Sequence, residues 1–273
     1  MSDQIPGNTG PRPLPRVIAV ANQKGGVGKT TTVVNLGACL AELGYRTLIV
    51  DLDPQGNAST GVGITEERRR ETSMYHVLID DELPMEEATF PTDVPNLFIV
   101  PASLDLAAAE VELRSGFAAE LYLRAAFERS KLDYDFVLID CPPSLGLLTT
   151  NGLAAAQEVL IPIQCEYYAL EGTGQLLVTL EKVRKKLNRS LELSTVVCVM
   201  YDARTNLADR VIEVVRENFG DKVCKTVVPR TVRLSEAPEL GQPIILFDSS
   251  SRGAVAYREL AKEVSGGTSP RNR

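Results

Sequence analysis

Asn22-Gln23-Lys24-Gly25-Gly26-Val27-Gly28-Lys29-Thr30 follows at once on the apolar run Val17-Ile18-Ala19-Val20-Ala21. A strand that breaks into a glycine-rich loop ending in Lys-Thr has the layout of a phosphate cradle. Small residues there let successive backbone N–H groups turn inward around anionic oxygens. Residues 30–43 have helical character, so aligned peptide dipoles at the helix start add to the same anion site. In that layout Lys29 supplies a point charge to β/γ-phosphates, and the Thr30 hydroxyl sits on Mg²⁺.

The loop departs from G-x-x-x-x-G-K-[ST], because position 23 holds Gln23 where that pattern needs glycine. Instead Lys24-Gly25-Gly26 places a second lysine five residues before Lys29. One phosphate cradle does not need two cations from one loop. Lys24 is therefore either a solvated surface charge or a group that reaches phosphates bound by another subunit.

Around this loop, short apolar runs alternate with longer helical segments, the pattern of a mostly parallel twisted sheet with crossover helices on both faces. Strands are expected at 17–21, 47–50, 96–100, 136–139, 159–163, 195–200 and 225–228. Helices are expected at 30–43, 106–114, 118–131, 147–156, 173–187, 207–219 and 253–264. The fold class is α/β, of the P-loop NTPase kind. Residues 65–72, with Glu66 and Glu67 beside Arg68, Arg69 and Arg70, read as a solvated surface loop.

The chain has 273 residues, enough for one sizeable core. Residues 1–15, rich in proline, read as a flexible tail lacking the apolar core of a secretory signal. A single domain then spans 16–264, and 265–273 form a second tail. No stretch approaches a membrane span. The formal net charge of −7 excludes a globally basic nucleic-acid coat, so any DNA contact must come from a local patch. Five scattered cysteines and one histidine suit reduced, mostly buried thiols, not a disulfide framework or zinc site.

In an open sheet of this kind ligands bind beyond the carboxyl ends of the strands. Three further segments fall there. One strand runs into Asp51-Leu52-Asp53-Pro54-Gln55-Gly56, another into Asp140-Cys141-Pro142-Pro143, and a third into Pro229-Arg230-Thr231-Val232-Arg233. Asp140 has the position of a Walker-B carboxylate holding Mg²⁺ directly or through water. Asp53 is placed to orient a water for in-line attack on a γ-phosphate. Asp51 either assists near the metal or caps the following turn.

These residues, with NQKGGVGKTTT, VDLDPQGNAST, LIDCPPSLGLLT, IPIQCEYYALEG, YDARTNL, VVPRTVRLSEAP and SRGAVAYRELAKEV, give a chain that resembles the ParA-type chromosome- or plasmid-partitioning ATPases. The likeness is to the Soj branch of the MinD/ParA group and covers residues 16–264. It implies an ATP-dependent sandwich homodimer in which Lys24 crosses to the partner's nucleotide. It also assigns Gly25, Gly26, Val27, Gly28 and Lys29 to the phosphates, Thr30 to Mg²⁺ and Thr31 to the neighbourhood of the α-phosphate. Asp53 corresponds to the hydrolytic aspartate and Asp140 to the metal-side one.

Pro229 and Thr231 are expected to flank the adenine, with Thr231 standing where relatives usually have asparagine. Arg204 and Arg233 match basic positions that bind double-stranded DNA without sequence preference; Arg233 is alternatively an ion-pair partner of Glu236. The cluster Lys182, Arg184, Lys185, Lys186 and Arg189 is a second basic candidate, or a solvated helix face. The resemblance further implies a ParB-type partner that stimulates hydrolysis, and a cytoplasmic, nucleoid-associated location. Alternatives in the same group are an orphan ParA-like ATPase positioning another cargo and a MinD-like membrane-site switch. The latter needs a C-terminal amphipathic helix with bulky apolar and basic faces, which VAYRELAKEVSGGTSPRNR does not offer.

Overall fold

Parallel strands buried on both faces need apolar interiors, and the central strands are apolar between their end residues. A computed structural model describes residues 13–167 and 173–271. The strands are β1 (Arg16–Val20), β2 (Thr47–Asp51), β3 (Phe90–Pro91), β4 (Leu97–Val100), β5 (Phe136–Asp140), β6 (Glu158–Gln164), β7 (Glu192–Tyr201) and β8 (Val223–Pro229). They form one eight-stranded sheet in the order β3-β4-β2-β5-β1-β6-β7-β8, parallel except for the β3–β4 pair. Every residue of β1, β2 and β5 is buried.

The helices are α1 (Lys29–Glu42), α2 (Asn57–Gly61), α3 (Glu66–Glu71), α4 (Met74–Ile79), α5 (Leu106–Leu113), α6 (Tyr122–Arg129), α7 (Leu147–Ala155), α8 (Thr173–Lys186), α9 (Asn206–Phe219), α10 (Val232–Glu236), α11 (Ile244–Phe247) and α12 (Arg252–Ser265). They divide between the sheet faces and give two cores. One joins Val17, Leu48 and Ile139 to apolar residues of α4–α9. The other joins Ile18, Ile49 and Leu138 to α1, α11 and α12. The apolar face of α12 (Ala254, Tyr257, Leu260, Ala261, Val264) is buried in this second core.

Four features differ from expectation. Residues 66–71 form helix α3 and not a loop, and its Arg69 is half-buried against Gly56. The helix expected over 118–131 is broken, because Ala118 sits at φ 53° and a short 3₁₀ turn, Ala119–Leu121, precedes α6. The antiparallel edge pair β3–β4 was not expected at all. The stretch beyond α12, expected as a tail, folds back at Arg271, whose Nε donates to the buried Asp135 carboxylate at 2.8 Å. Residues 1–12 of the expected N-terminal tail and 168–172 of IPIQCEYYALEG lie outside the described residues.

Candidate active site

Register brings three strand ends to one level. Val20 of β1 and Asp51 of β2 both stand opposite Asp140 of β5. Beyond that level β1 opens into the glycine loop, flanked by β5 on one side and β6 on the other. Backbone bonds lock the junction: Cys141 N donates to Val20 O at 3.2 Å, and Leu52 N donates to Asp140 O at 3.0 Å.

The loop is held open by its own residues. Asn22, buried, donates from Nδ2 to Pro162 O at 2.8 Å and accepts the Lys24 N–H at 3.1 Å, so one amide fixes both the start of the loop and its distance from β6. Gly26 and Gly28 take φ of 72° and 80°, the left-handed region that costs a side-chain-bearing residue about 1–2 kcal/mol. Gly28 is the N-cap of α1 and offers no side-chain cap, leaving the first N–H groups of that helix free for an anion.

Lys29 is buried, with Nζ donating to the Lys24 carbonyl at 3.3 Å. Burial lowers its pKa, while Asp140, Cys141 and Asp53 pull the other way. Such a cation is short of counter-charge and has one weak neutral acceptor. The Lys24 ammonium, half-buried, has no ion-pair partner among the described residues.

The carboxylates divide sharply. Asp140 is fully buried and neither of its oxygens has a hydrogen-bond partner. Its pKa is pushed well up, by burial first and then by Asp51; the Thr30 hydroxyl lies near enough to moderate the shift without forming a sound hydrogen bond. Asp51 is saturated: Oδ1 accepts Asp53 N at 3.2 Å, and Oδ2 accepts Ser59 N at 2.9 Å and Ser59 Oγ at 2.6 Å. Burial raises Asp51 to about 6 despite those bonds. Asp53, at the lip, accepts Gln55 N at 3.0 Å through Oδ1 and has 9% exposure, so one oxygen remains for a further contact.

Two bare, desolvated carboxylate oxygens beside a hydroxyl suit a small hard cation. Among the described residues no cluster of three or more His, Cys, Asp or Glu builds an all-protein cage. Mg²⁺ characteristically takes one or two protein oxygens and completes its shell with phosphate and water, so these residues fit it. A cleft of about 260 Å³ adjoins the loop, lined by Thr30, Thr31, Asn35, Asn57, Pro238 and Gln242 among others.

The AAA-domain family matches residues 15–193. The sporulation initiation inhibitor protein Soj of Bacillus subtilis is 56% identical over 249 residues, covering 91% of this chain and 98% of that protein. The chromosome partitioning protein ParA of Caulobacter vibrioides is 51% identical over 251 residues, covering 91% and 93%. The chain belongs to the Soj/ParA family of chromosome-partitioning proteins. The Soj/ParA chain also superposes on cobyrinic acid a,c-diamide synthase from Mycobacterium smegmatis, solved with bound ADP and magnesium. The TM-score is 0.80 and the identity 38%, covering 95% of this chain and 100% of the other.

The outlying residues of the Soj/ParA pattern are engaged with their own surroundings. Pro229 closes β8, and the Thr231 hydroxyl caps α10 by accepting Leu234 N at 3.3 Å; neither lines the 260 Å³ cleft. Arg204 grips Asp202 through Nε at 2.9 Å and Nη2 at 2.6 Å. Arg233 pairs with Glu236 at 3.1 Å and Asp248 at 3.4 Å, over the Phe247 ring.

Sequence reading passed over three residues at this site. Asn22 was quoted but given no task. Arg69 Nη1 donates to Gly56 O at 3.3 Å in the segment carrying Asp53. Glu110 of α5 accepts Leu147 N at 2.8 Å, capping α7 just beyond Asp140. For Asn22 the signal was a polar side chain at the end of a buried strand; the other two come from distant helices and left none.

Proposed function

We propose that this chain is an ATP-hydrolysing switch for DNA segregation, in which an ATP-bound sandwich dimer binds duplex DNA non-specifically and a ParB-type partner stimulates hydrolysis and release. The observation that carries the reading is Asp140: a buried carboxylate with both oxygens bare, next to the buried cation Lys29 and beneath the uncapped start of α1. Isolated buried charges are expensive, and such an arrangement persists when something else completes it.

Mg²⁺·ATP supplies the charge that Lys29 and Asp140 lack and the phosphorus centre for attack. The amides of Gly25, Gly26, Val27 and Gly28 and the start of α1 bind phosphate oxygens, with Lys29 on the β/γ end and Thr31 near the α-phosphate. Thr30 and Asp140 hold the metal, and Asp51 stands behind them pinning α2 through Ser59. Asp53 accepts a proton from the attacking water and orients it. Pro229 and Thr231 flank the adenine. Lys24, without an internal partner, reaches the nucleotide of the second copy. Arg204 and Arg233 exchange their carboxylates for DNA phosphates, at the small cost expected of exposed ion pairs.

A membrane-site switch is disfavoured by α12, whose apolar face is spent in the core, and no helix of the described residues is long and apolar enough to cross a membrane. The location that follows is cytoplasmic and nucleoid-associated. The test is steady-state ATP turnover with duplex DNA alone, with a ParB N-terminal peptide alone, and with both. Strong stimulation only with both supports the switch, and turnover indifferent to either counts against it.

A further inference from the structure

Helix α5 is apolar on two opposite sides, and the fold covers only one of them. Leu106, Ala109 and Leu113 are buried in the sheet core. Leu104, in the turn leading into the helix, follows i, i+3, i+4, i+7 with Ala107, Ala108 and Val111, and this second side is exposed. Leu104 is 70% exposed, Val111 73%, and Phe117, beyond the last turn, 99%. A helix apolar on both sides normally has both covered, and an apolar patch left in water marks a contact site. The charges beside this stripe are mostly of one sign. Asp105 and Glu112, exposed along one border, have no ion-pair partner among the described residues. Residues 101–121 hold four carboxylates, Asp105, Glu110, Glu112 and Glu120, against the single cation Arg114.

That charge pattern selects the occupant. An isologous contact between two copies would bring the same unpaired carboxylates to both sides, and like charges across an interface are costly. An anionic lipid surface meets the same repulsion. A partner segment with cations beside its apolar side chains meets none. The helix is also tied to both strand ends that carry the buried aspartates. Before it, Ala102 N donates to Ser59 Oγ at 3.0 Å, and that hydroxyl donates to Asp51 at 2.6 Å. Within it, Glu110 accepts Leu147 N at 2.8 Å, where the segment leaving Asp140 enters α7. A load on the outer side of α5 therefore reaches β2 and β5 through two short hydrogen-bonded paths.

We propose that the outer side of α5, anchored on Leu104, Val111 and Phe117, is the docking surface for a partner's peptide segment that carries bulky apolar side chains flanked by lysine or arginine, and that its occupation is relayed to Asp51 and Asp140 through Ser59 and Glu110. The inference rests on the partner-stimulated switch proposed above and says where the stimulating segment binds. Apolar side chains of the segment cover the stripe and supply affinity, while its cations meet Asp105 and Glu112 and set its orientation. Glu110 is a positioning residue in this scheme: it holds the start of α7 beyond Asp140 and touches no reacting atom.

The experiment uses the full chain with a non-hydrolysable ATP analogue, duplex DNA and a fluorescent ParB N-terminal peptide, reading affinity by anisotropy and, with ATP in place of analogue, stimulated turnover. V111S/F117S should weaken peptide binding by about tenfold or more, as loss of interface anchors does. D105N/E112K should weaken it by about threefold to tenfold at low salt and little at high salt, as loss of rim charges does. Both variants should keep the melting temperature, basal turnover and analogue-driven dimerisation of wild type. E110A should bind the peptide as wild type does yet lose most of the stimulation, and E110Q, which keeps an acceptor, should recover it. Wild-type peptide affinity in V111S/F117S overturns the inference alone, and so does loss of dimerisation in that variant. Binding indifferent to D105N/E112K at low salt overturns the basic partner. E110A that is stimulated as fully as wild type, or that loses affinity and stimulation together, overturns the relay. Wild-type protein that binds no peptide with any nucleotide overturns both this inference and the reading on which it rests.

Discussion

Asp51 and Asp140 stand opposite each other on neighbouring strands, both wholly buried, and share almost nothing else. Asp51 spends both oxygens on Asp53 N and Ser59, whereas Asp140 spends neither. Burial raises the pKa of both, and Asp51 raises that of Asp140 further, since two charges in one dry site repel. Hydrogen bonding decides which of the two serves the fold and which is left for a ligand.

This asymmetry sets the pH response of the ligand-free protein. A carboxyl with a raised pKa binds its proton more tightly folded than unfolded, so stability falls as pH rises through the interval. For Asp51 the interval runs from 3.8 to about 6, and Asp140, raised by burial and by Asp51, acts in the same direction. Thermal unfolding without nucleotide should show this pair favouring about pH 5.5 over about pH 7.5, a preference that weakens in Asp140→Asn. That variant should melt higher than wild type, by about 2–4 °C per kcal/mol regained, and should gain nothing from Mg²⁺·ATP. Asp51→Asn should instead melt lower, having weakened the tie to Ser59. A higher-melting Asp51→Asn together with a lower-melting Asp140→Asn would reverse the assignment.

Lys29 is a buried cation, proposed above to meet the phosphates. Lys29→Ala removes a charge-assisted contact worth about 1.5–3 kcal/mol, so nucleotide affinity should fall by roughly one to two orders of magnitude. Titration with a fluorescent ATP analogue reads this directly. Affinity within twofold of wild type would place the phosphates elsewhere.

Asp53 is proposed to act on water and not on binding. Asp53→Ala should slow turnover by about 10²–10⁴-fold, the range of a general base, while ATP still binds. Size-exclusion chromatography with ATP should then show a persistent dimer on DNA, and a monomer under those conditions would remove Asp53 from the hydrolytic role.

Arg69 tests whether the Asp53 segment must be held. Its guanidinium lies against Gly56, so that an added Cβ there would collide with Nη1. Arg69→Ala should lower kcat by about tenfold, the effect of small misplacement of a catalytic group, with KM for ATP little changed. Arg69→Lys should recover only part of the loss. Equal changes in kcat and melting temperature in both variants would make Arg69 merely structural.

The strands and the glycine loop were legible because their signals are local. Apolar runs buried on both faces, such as Phe136–Asp140, end on polar residues that announce the site. The edge pair β3–β4 escaped because Phe90–Pro91 is too short to show a period. Helix α3 escaped because Glu66–Glu71 is charged all round and buries no complete face. The neutralisation of Arg233 by Asp248 was invisible, since nothing in sequence brings together residues fifteen apart across two short helices. Likewise Asp51 and Asp53 look alike on paper, and only Ser59 separates their tasks.

The central claim is that Lys29 serves its own nucleotide and Lys24 the nucleotide of a second copy. Size-exclusion chromatography with light scattering, with and without a non-hydrolysable ATP analogue, tests it on wild type and Lys24→Ala. The account expects wild type to pass from monomer to dimer with analogue, and Lys24→Ala to bind analogue yet remain monomeric. Wild type that stays monomeric when saturated, or Lys24→Ala that dimerises as wild type does, would contradict it.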